Sequence, residues 1–483
     1  MKNIKLTRLP LVLRPSHNRV LIRPFVPESP HRISHIIARV MSLSEEEVRR
    51  LLAGVLQKFR TRHPQIQSIL LKHFESVRRW MFTDEKISRE RQLVVGSYFT
   101  QEYSLESAAL FNPSIVPHPD QGATAEGGLR FLLSLRATGE GHISSIVFRM
   151  GEIGSDGRIS LFEPTPYVTQ PDRIVSASYN KAMFMRKLHE LGLENRYSLE
   201  VLGTLHEPFT MEELLQQIEM SRRRFSRDND ARTTFEGVRN LAYSNYEVRF
   251  RPDQKPSERA VFPSSPSERN GIEDARFVRF RNDDGSWIYY ATYTAFDGEV
   301  IFPQLLETAD FLHFKFITLN GPAVKNKGMA LFPRKIRGLY AMLSRQDNEN
   351  IYLMYSDNIH FWYSPKILVR PTYSWEFVQL GNCGSPIETD RGWLVLSHGV
   401  GPMRRYCMGA FLLDRNDPSR VIGRLPRPLL EPNENEREGY VPNVVYTCGA
   451  LIHGGTMVIP YAMSDYASTF ATVAVDEVID AME

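Results

Sequence analysis

Glu273-Asp-Ala-Arg-Phe-Val278, followed after eight residues by Trp287-Ile-Tyr-Tyr-Ala-Thr-Tyr-Thr294, is the stretch that decides the fold. A short apolar segment leads into an aromatic-rich, strand-like run that ends on a polar side chain. The same unit recurs. Asn112-Pro-Ser-Ile-Val116 precedes Phe131-Leu-Leu-Ser-Leu-Arg136, and Leu331-Phe-Pro-Arg-Lys-Ile336 precedes Leu339-Tyr-Ala-Met-Leu-Ser-Arg345. Gly384-Ser-Pro-Ile-Glu388 precedes Trp393-Leu-Val-Leu-Ser-His398, and Val441-Pro-Asn-Val-Val445 precedes Met457-Val-Ile-Pro-Tyr-Ala-Met-Ser-Asp465. Four of these segments start at residues 273, 331, 384 and 441, hence 58, 53 and 57 apart. A period of about 50 residues in strand-and-turn sequence predicts the blades of a β-propeller. Five radial units would aim Arg136, Thr294, Arg345, His398 and Asp465 at one central depression. The expected fold class is all-β, a five-bladed β-propeller.

Composition excludes several function classes. Of 483 residues, 42% are hydrophobic and 24% charged, ordinary for a soluble globular protein. A net charge of +3, from 59 basic and 56 acidic residues, is too balanced to imply nucleic acid as a partner. Three cysteines, Cys383, Cys407 and Cys448, make neither a disulfide framework nor a metal cluster. No apolar stretch reaches membrane-spanning length, and the first ten residues lack the apolar core of a leader. A reducing, cytoplasmic setting is expected, with no membrane partner.

Two regions carry helical rather than strand patterning. Residues 1–105 are expected to form a helical extension, and 106–483 the propeller. In the extension, Ser44 and Glu47 make a capping box ahead of an apolar stripe through Val48, Leu51, Leu52, Val55, Leu56 and Phe59. Pro64 is expected to open a second helix carrying Ile66, Ile69, Leu70 and Val77. The second region is a helical insertion at about 178–265, between the first two blades. Ser178–Leu191 and Thr210–Phe225 read as helices there, with a Thr210–Glu213 capping box and Phe209 placed for a hydrophobic staple. The Pro/Ser/Arg-rich segment from Arg251 to Asn270 then feeds straight into Glu273-Asp274; it reads equally as a substrate wall or as packing. The apolar faces of both helical regions predict a homo-oligomer.

The chemistry concentrates at Glu273-Asp274. Adjacent strand residues point to opposite faces, so one carboxylate is expected to face the cavity while the other holds backbone or Arg276. A carboxyl group sheltered in a pocket has its pKa raised and suits general-acid work. Lys325, Lys327, Arg334, Lys335, Arg345 and His398 supply cations on neighbouring blades, and convergent Arg, Lys and His groups suit a phosphate.

Four motifs, in order, carry a family resemblance. Asn270-Gly-Ile-Glu-Asp-Ala-Arg-Phe-Val278, Lys325-Asn-Lys-Gly-Met-Ala-Leu-Phe-Pro-Arg-Lys-Ile336, Gly384-Ser-Pro-Ile-Glu-Thr-Asp-Arg-Gly-Trp-Leu-Val-Leu-Ser-His-Gly-Val400 and Gly439-Tyr-Val-Pro-Asn-Val-Val445 resemble glycoside hydrolase family 130. That family comprises β-mannoside phosphorylases and some β-mannosidases on a five-bladed propeller. The resemblance runs from about Ser107 to the end of the chain and leaves the first hundred residues outside. It implies that Asp274 is the general acid, with Ala275 where the family has Pro, a change of backbone stiffness. It implies that Asn112 and Asp465 hold hydroxyls of the transferred mannose. Arg136, Glu273 and Arg276 complete the candidate sugar-binding set. Lys327, Arg345 and His398 resemble the basic wall that holds phosphate. Many relatives carry His before the position of Arg345, and this chain has Ser344.

The implied reaction is inverting phosphorolysis of short β-mannosides, of β-1,2 linkage, to α-mannose 1-phosphate. An inverting glycosidase needs an acid on one face of the sugar and a base-activated water on the other. Phosphate is already anionic and dispenses with the base, so one acid opposite a cationic cluster is the expected layout. No cofactor or metal is called for, inorganic phosphate being the co-substrate. The partners are then a β-mannooligosaccharide and phosphate. A β-mannoside hydrolase would instead need a carboxylate base at the phosphate position, with Glu388 and Glu438 available. A β-1,4-mannosyl-glucose phosphorylase and a non-catalytic carbohydrate-binding propeller are the remaining alternatives.

Overall fold

The structure is a computed structural model. It describes residues 4–83, 85–122, 124–174, 178–298 and 301–483. Two compact units divide the chain. One is Ser16–Ser107 with Thr165–Thr169; the other takes the chain up to Pro15, Ala108–Pro164 and Gln170–Glu483.

In the smaller unit, helices Pro30–Met41, Glu45–Phe59, Ile66–Val77 and Arg89–Tyr98 enclose Ile33, Val48, Leu70, Phe74 and Val95. The Ser44 box forms as patterned: Glu47 N donates to Ser44 Oγ at 3.3 Å and Ser44 N to Glu47 Oε2 at 2.8 Å. The third helix starts at Ile66, two residues past Pro64. This unit is not wholly helical. Val20–Pro24 pairs antiparallel with Thr100–Ser104 and parallel with Tyr167–Val168. The Val-Leu-Ile start of the first strand is buried, and burial outweighs the helical bias of its surroundings.

The larger unit is strand-rich. Five antiparallel groups follow one another, each built on one of the aromatic-rich runs. The first is Ala109–Pro117, Leu129–Thr138 and Ser144–Ile153. The second is Gly271–Arg281, Trp287–Phe296, Ile301–Thr308 and His313–Thr318. A single parallel pairing, Gly271 with Ser144, joins these two into one sheet. Ala330–Leu331, Tyr340–Ser344, Ile351–Ser356 and Lys366–Val369 form the third group. Gln379–Asn382, Gly392–Val400, Tyr406–Leu413 and Val421–Arg424 form the fourth. In the fifth, Val445–Tyr446, Thr456–Met463 and Ala467–Ala474 are completed by Thr7–Arg8 from the opposite end of the chain.

The insertion is a small body with its own core. Lys181–Glu190, Arg196–Gly203, Met211–Arg224 and Asn229–Tyr243 pack around Phe184, Val201, Phe209, Leu214 and Phe235. Ser178 and Tyr179, expected inside the first helix, instead pair as a strand with Thr210 and Phe209, and the Tyr179 and Phe209 rings stack at 5.3 Å. The Arg251–Asn270 segment is pinned from below. Glu268 is fully buried and accepts from Tyr246 Oη at 2.9 Å, Tyr293 Oη at 2.8 Å and Ser264 N at 2.9 Å. Of the two readings of this segment, that anchorage favours packing.

Candidate active site

Three segments deliver the polar centre, and each departs from regular strand geometry where it does so. The Ala109–Pro117 strand shifts register between Phe111 and Ser114, and the Gly271–Arg281 strand between Glu273 and Arg276. Asn112, Asp274 and Asp465 all lie in the left-handed region, at φ of 49°, 54° and 51°. Left-handed backbone is uncommon for residues other than glycine, and bulges re-aim side chains next to active sites. The Gly271–Arg281 bulge overturns one expectation. Regular alternation would send Glu273 and Asp274 to opposite faces; both carboxylates reach Arg136 instead. Arg136 Nη2 donates to Glu273 Oε1 at 2.7 Å and Nη1 to Asp274 Oδ1 at 3.2 Å.

Around this fork the other predicted residues gather. Asn112 Nδ2 donates to Asp274 Oδ1 at 2.6 Å, and Lys327 Nζ to Glu273 Oε2 at 2.6 Å. Ser144 Oγ, which sequence reading passed over, accepts from Arg136 Nε at 2.9 Å. Arg276 was expected among the sugar-binding groups. It lies buried behind them instead, donating to the Asp274 carbonyl at 3.0 Å, the Cys383 carbonyl at 2.8 Å and Tyr446 Oη at 2.7 Å. It therefore fixes the bulge. Tyr446 carried no sequence motif of its own and is the second residue missed. Thr294, expected at the central depression, is buried and pairs through its backbone with Glu273.

The electrostatics differ from the sequence expectation in sign. Burial alone would raise the pKa of Asp274, but Arg136, Arg276 and Lys327 surround it and Asn112 donates to it. Together they hold it down to about 2. The raised carboxyl is Asp465, pushed from 3.8 to about 6 by burial and then by the charge of Asp274, against the pull of Arg136. Asp274 is thus held ionised, while Asp465 keeps its proton up to about pH 6.

Arg345 and His398 sit side by side, Nη1 to Nε2 at 3.4 Å. Among the described residues Arg345 forms no salt bridge with a carboxylate, and its Nε is buried without a partner. Burial and the nearby Arg276 cation lower its pKa, with Tyr446 countering. Burial, then Arg345 and Arg276, push His398 well below the usual imidazole range, so it stands as a neutral ring against Tyr446 at 5.0 Å. It contributes a hydrogen-bonding edge to the expected cationic wall, without a charge. Gly381 makes this possible: a Cβ there would fall 2.4 Å from His398 Cε1. Arg334 and Lys335, grouped with these cations in the sequence, are engaged elsewhere, by Glu388 at 2.7 Å and Asp283 at 2.7 Å. Ser344 is fully buried and accepts from Gln346 Nε2 at 2.9 Å. Among the described residues no three His, Cys, Asp or Glu side chains gather as a metal cage.

The strand-rich unit thus brings together two carboxylates on one arginine fork, a further carboxyl and a half-buried guanidinium without a carboxylate partner among the described residues. Comparison makes the class specific. Residues 239–483 match the sequence profile of a family described as β-1,4-mannooligosaccharide phosphorylase, glycoside hydrolase family 130. A 1,2-β-oligomannan phosphorylase of a Thermoanaerobacter species is 37% identical over 221 residues, covering 44% of this chain and 70% of that protein. A β-1,2-mannobiose phosphorylase of Listeria innocua is 31% identical over 251 residues, covering 50% of this chain and 68% of its own length. The solved β-1,2-mannobiose phosphorylase of Listeria innocua aligns with 79% of this chain and 93% of its own, at a TM-score of 0.47 and 21% identity. The chain belongs to glycoside hydrolase family 130.

Proposed function

We propose that this pocket carries out the inverting phosphorolysis of short β-mannosides, of β-1,2 linkage, releasing α-mannose 1-phosphate. The observation that carries the reading is Arg345, a half-buried guanidinium whose Nε is buried without a partner and which, among the described residues, has no carboxylate ion pair beside the carboxylate cluster. A partly desolvated cation lacking a protein counter-ion favours a ligand that supplies the charge, and guanidinium suits phosphate oxygens. His398 adds a neutral hydrogen-bonding edge. Lys327 Nζ donates to Glu273 Oε2 at 2.6 Å, so its contact with phosphate would require a swing away from that carboxylate. The names of the similar proteins favour the β-1,2 linkage.

The residues then divide the work. Phosphate on Arg345 attacks the anomeric carbon from the face opposite the departing sugar, and the C–O bond to that sugar breaks with inversion. The departing oxygen needs a proton. Asp274 supplies it, directly or across a mannose hydroxyl, drawing on the proton that the Asp274–Asp465 pair loses as pH rises through about 6. Asn112 Oδ1, buried with no partner, and Asp465 receive hydroxyls of the transferred mannose. No cofactor enters this scheme. A hydrolase would need a base opposite Asp274. Glu388 is held by Arg334 and Arg415, and Glu438 is exposed, which weighs against either in that role.

We further propose that the five strand groups are propeller blades around this pocket, and that the chain self-associates. β-1,2-Mannobiose incubated with and without phosphate tests the reaction. α-Mannose 1-phosphate formed only with phosphate is expected; free mannose alone, at equal rate in both arms, would assign a hydrolase.

A further inference from the structure

We propose that His142 and Tyr440 form a two-ring platform at the rim of the pocket that stacks on the acceptor-side sugar, a specificity site that rests on the phosphorolysis reading above. The two rings come from separate segments and lie 5.9 Å apart, inclined at 31°. Both are exposed, Tyr440 to 60%. The large rings of this chain are otherwise mostly interior, and two exposed rings facing each other gain little from folding alone.

Each ring is anchored beside a residue of the site. His142 lies in the turn between Leu129–Thr138 and Ser144–Ile153, where Gly139 N donates to the Ile143 carbonyl at 3.1 Å. That turn is bracketed by Arg136 and Ser144, which bond each other across its base. Tyr440 is fixed from its other side. Val441 N donates to the Ser464 carbonyl at 3.0 Å, and Ser464 directly precedes Asp465. At Gly439 an added Cβ would fall 2.4 Å from the Ser464 carbonyl oxygen, so the backbone before Tyr440 is pressed onto the Asp465 turn. The platform therefore moves with Arg136 on one side and Asp465 on the other, the two groups that bracket Asp274.

A pyranose offers an apolar C–H face rimmed by hydroxyls, and flat amphipathic rings match such a face at little conformational cost. The transferred mannose is taken by Asn112, Asp274 and Asp465, which leaves the exposed platform to a sugar further out. The chemical class is a neutral pyranose in an oligosaccharide, bound by its face.

The test uses β-1,2-mannotriose as probe, in calorimetric binding without phosphate and in steady-state phosphorolysis. Tyr440→Ala is expected to weaken trisaccharide binding and raise its KM about tenfold, while kcat and the KM for phosphate stay unchanged. Tyr440→Phe keeps the ring and is expected to behave like the unmodified chain; His142→Ala is expected to weaken binding in the same direction. Should Tyr440→Ala lower only the melting temperature, with trisaccharide binding intact, the contact is a structural latch and the platform is overturned. The two readings fail separately. An unmodified chain that binds the trisaccharide through Tyr440 but turns over without regard to phosphate removes the phosphorolysis and keeps the platform. Phosphate-dependent turnover indifferent to Tyr440→Ala does the reverse.

Discussion

Asp274 and Asp465 are two carboxyl groups in one pocket whose surroundings push them apart, and each makes a distinct prediction. Asp274→Asn is nearly isosteric, so it is expected to abolish turnover of an unactivated β-mannoside while phosphate still binds; retention of more than a small percentage of activity would remove Asp274 as the acid. For Asp465 the sign runs the other way. Its folded pKa of about 6 lies above the ordinary 3.8, so the stability it contributes is complete below about pH 4 and is lost as pH rises through 6. Asp465→Asn is expected to abolish that loss and stabilise the chain at pH 7 by on the order of 2–3 kcal/mol, at roughly 1.36 kcal/mol per pKa unit. Denaturant midpoints at pH 4 and pH 7 check it; an unchanged difference between the two would refute the raised pKa. Arg345→Ala is expected to raise the KM for phosphate about ten- to a hundredfold, the cost of one charge-assisted contact, and to leave that for the sugar nearly untouched. Equal effects on both substrates would make Arg345 structural. Most of these residues were legible in the chain because motif order marks them. Their protonation was not, since it depends on Arg136 and Lys327 arriving from other segments.

At the scale of elements, legibility followed the strength of local pattern. The five aromatic-rich runs all lie in or along strands, and both capping boxes form, because alternation and caps act within a few residues. The apolar segments before the runs were less faithful: Leu331–Ile336 contributes little strand and Gly384–Glu388 only its end, since Pro333 and Pro386 interrupt the ladder. Arg196–Gly203 and Asn229–Tyr243 were missed, although Ala231, Phe235, Val238 and Ala242 of the latter lie on one buried helical face. The bulge at Glu273–Arg276 was invisible, because Arg276 fixes it through partners remote in sequence, the Cys383 carbonyl and Tyr446 Oη. One element can be tested by itself. Glu268 closes the segment ahead of the acid strand with two tyrosine hydroxyls and backbone donors. Glu268→Ala leaves those buried donors unpaired and is expected to cost about 3 kcal/mol or more. Loss of activity at a temperature below the melting transition would place the damage at the Gly271–Arg281 strand; an unaffected melting temperature would show that the network carries no load.

At the scale of the larger unit, the two ends of its chain meet beside the site. Thr7–Arg8 pairs with Ala467–Ala474, Leu9 N donates to the Phe470 carbonyl at 2.8 Å, and Leu13 N to the Ser468 carbonyl at 2.7 Å. Arg8 adds an ion pair to buried Glu436 at 3.0 Å, and Glu436 in turn accepts from Tyr461 at 2.6 Å. The strand so secured also touches the first group: Ser468 Oγ donates to the Leu110 carbonyl at 3.0 Å, and Leu110 N to the Tyr466 carbonyl at 2.9 Å. Asn112 lies two residues from Leu110, and Asp465 one residue from Tyr466, so the same bonds that close the last group set the spacing of the pair proposed to hold mannose. Removing the residues up to Pro15 deletes several backbone bonds and one partly buried ion pair, roughly 3–5 kcal/mol together. At about 2 °C per kcal/mol for a unit of this size, the melting temperature is expected to fall by on the order of 5–10 °C. The more telling outcome lies well below that transition. The KM for the mannoside is expected to rise in the truncated chain while the KM for phosphate holds, because Arg345 and His398 sit on the third and fourth groups, away from the deleted pairing. A truncated chain with an unaltered melting temperature and both KM values unchanged would show that the terminal strand merely decorates the sheet.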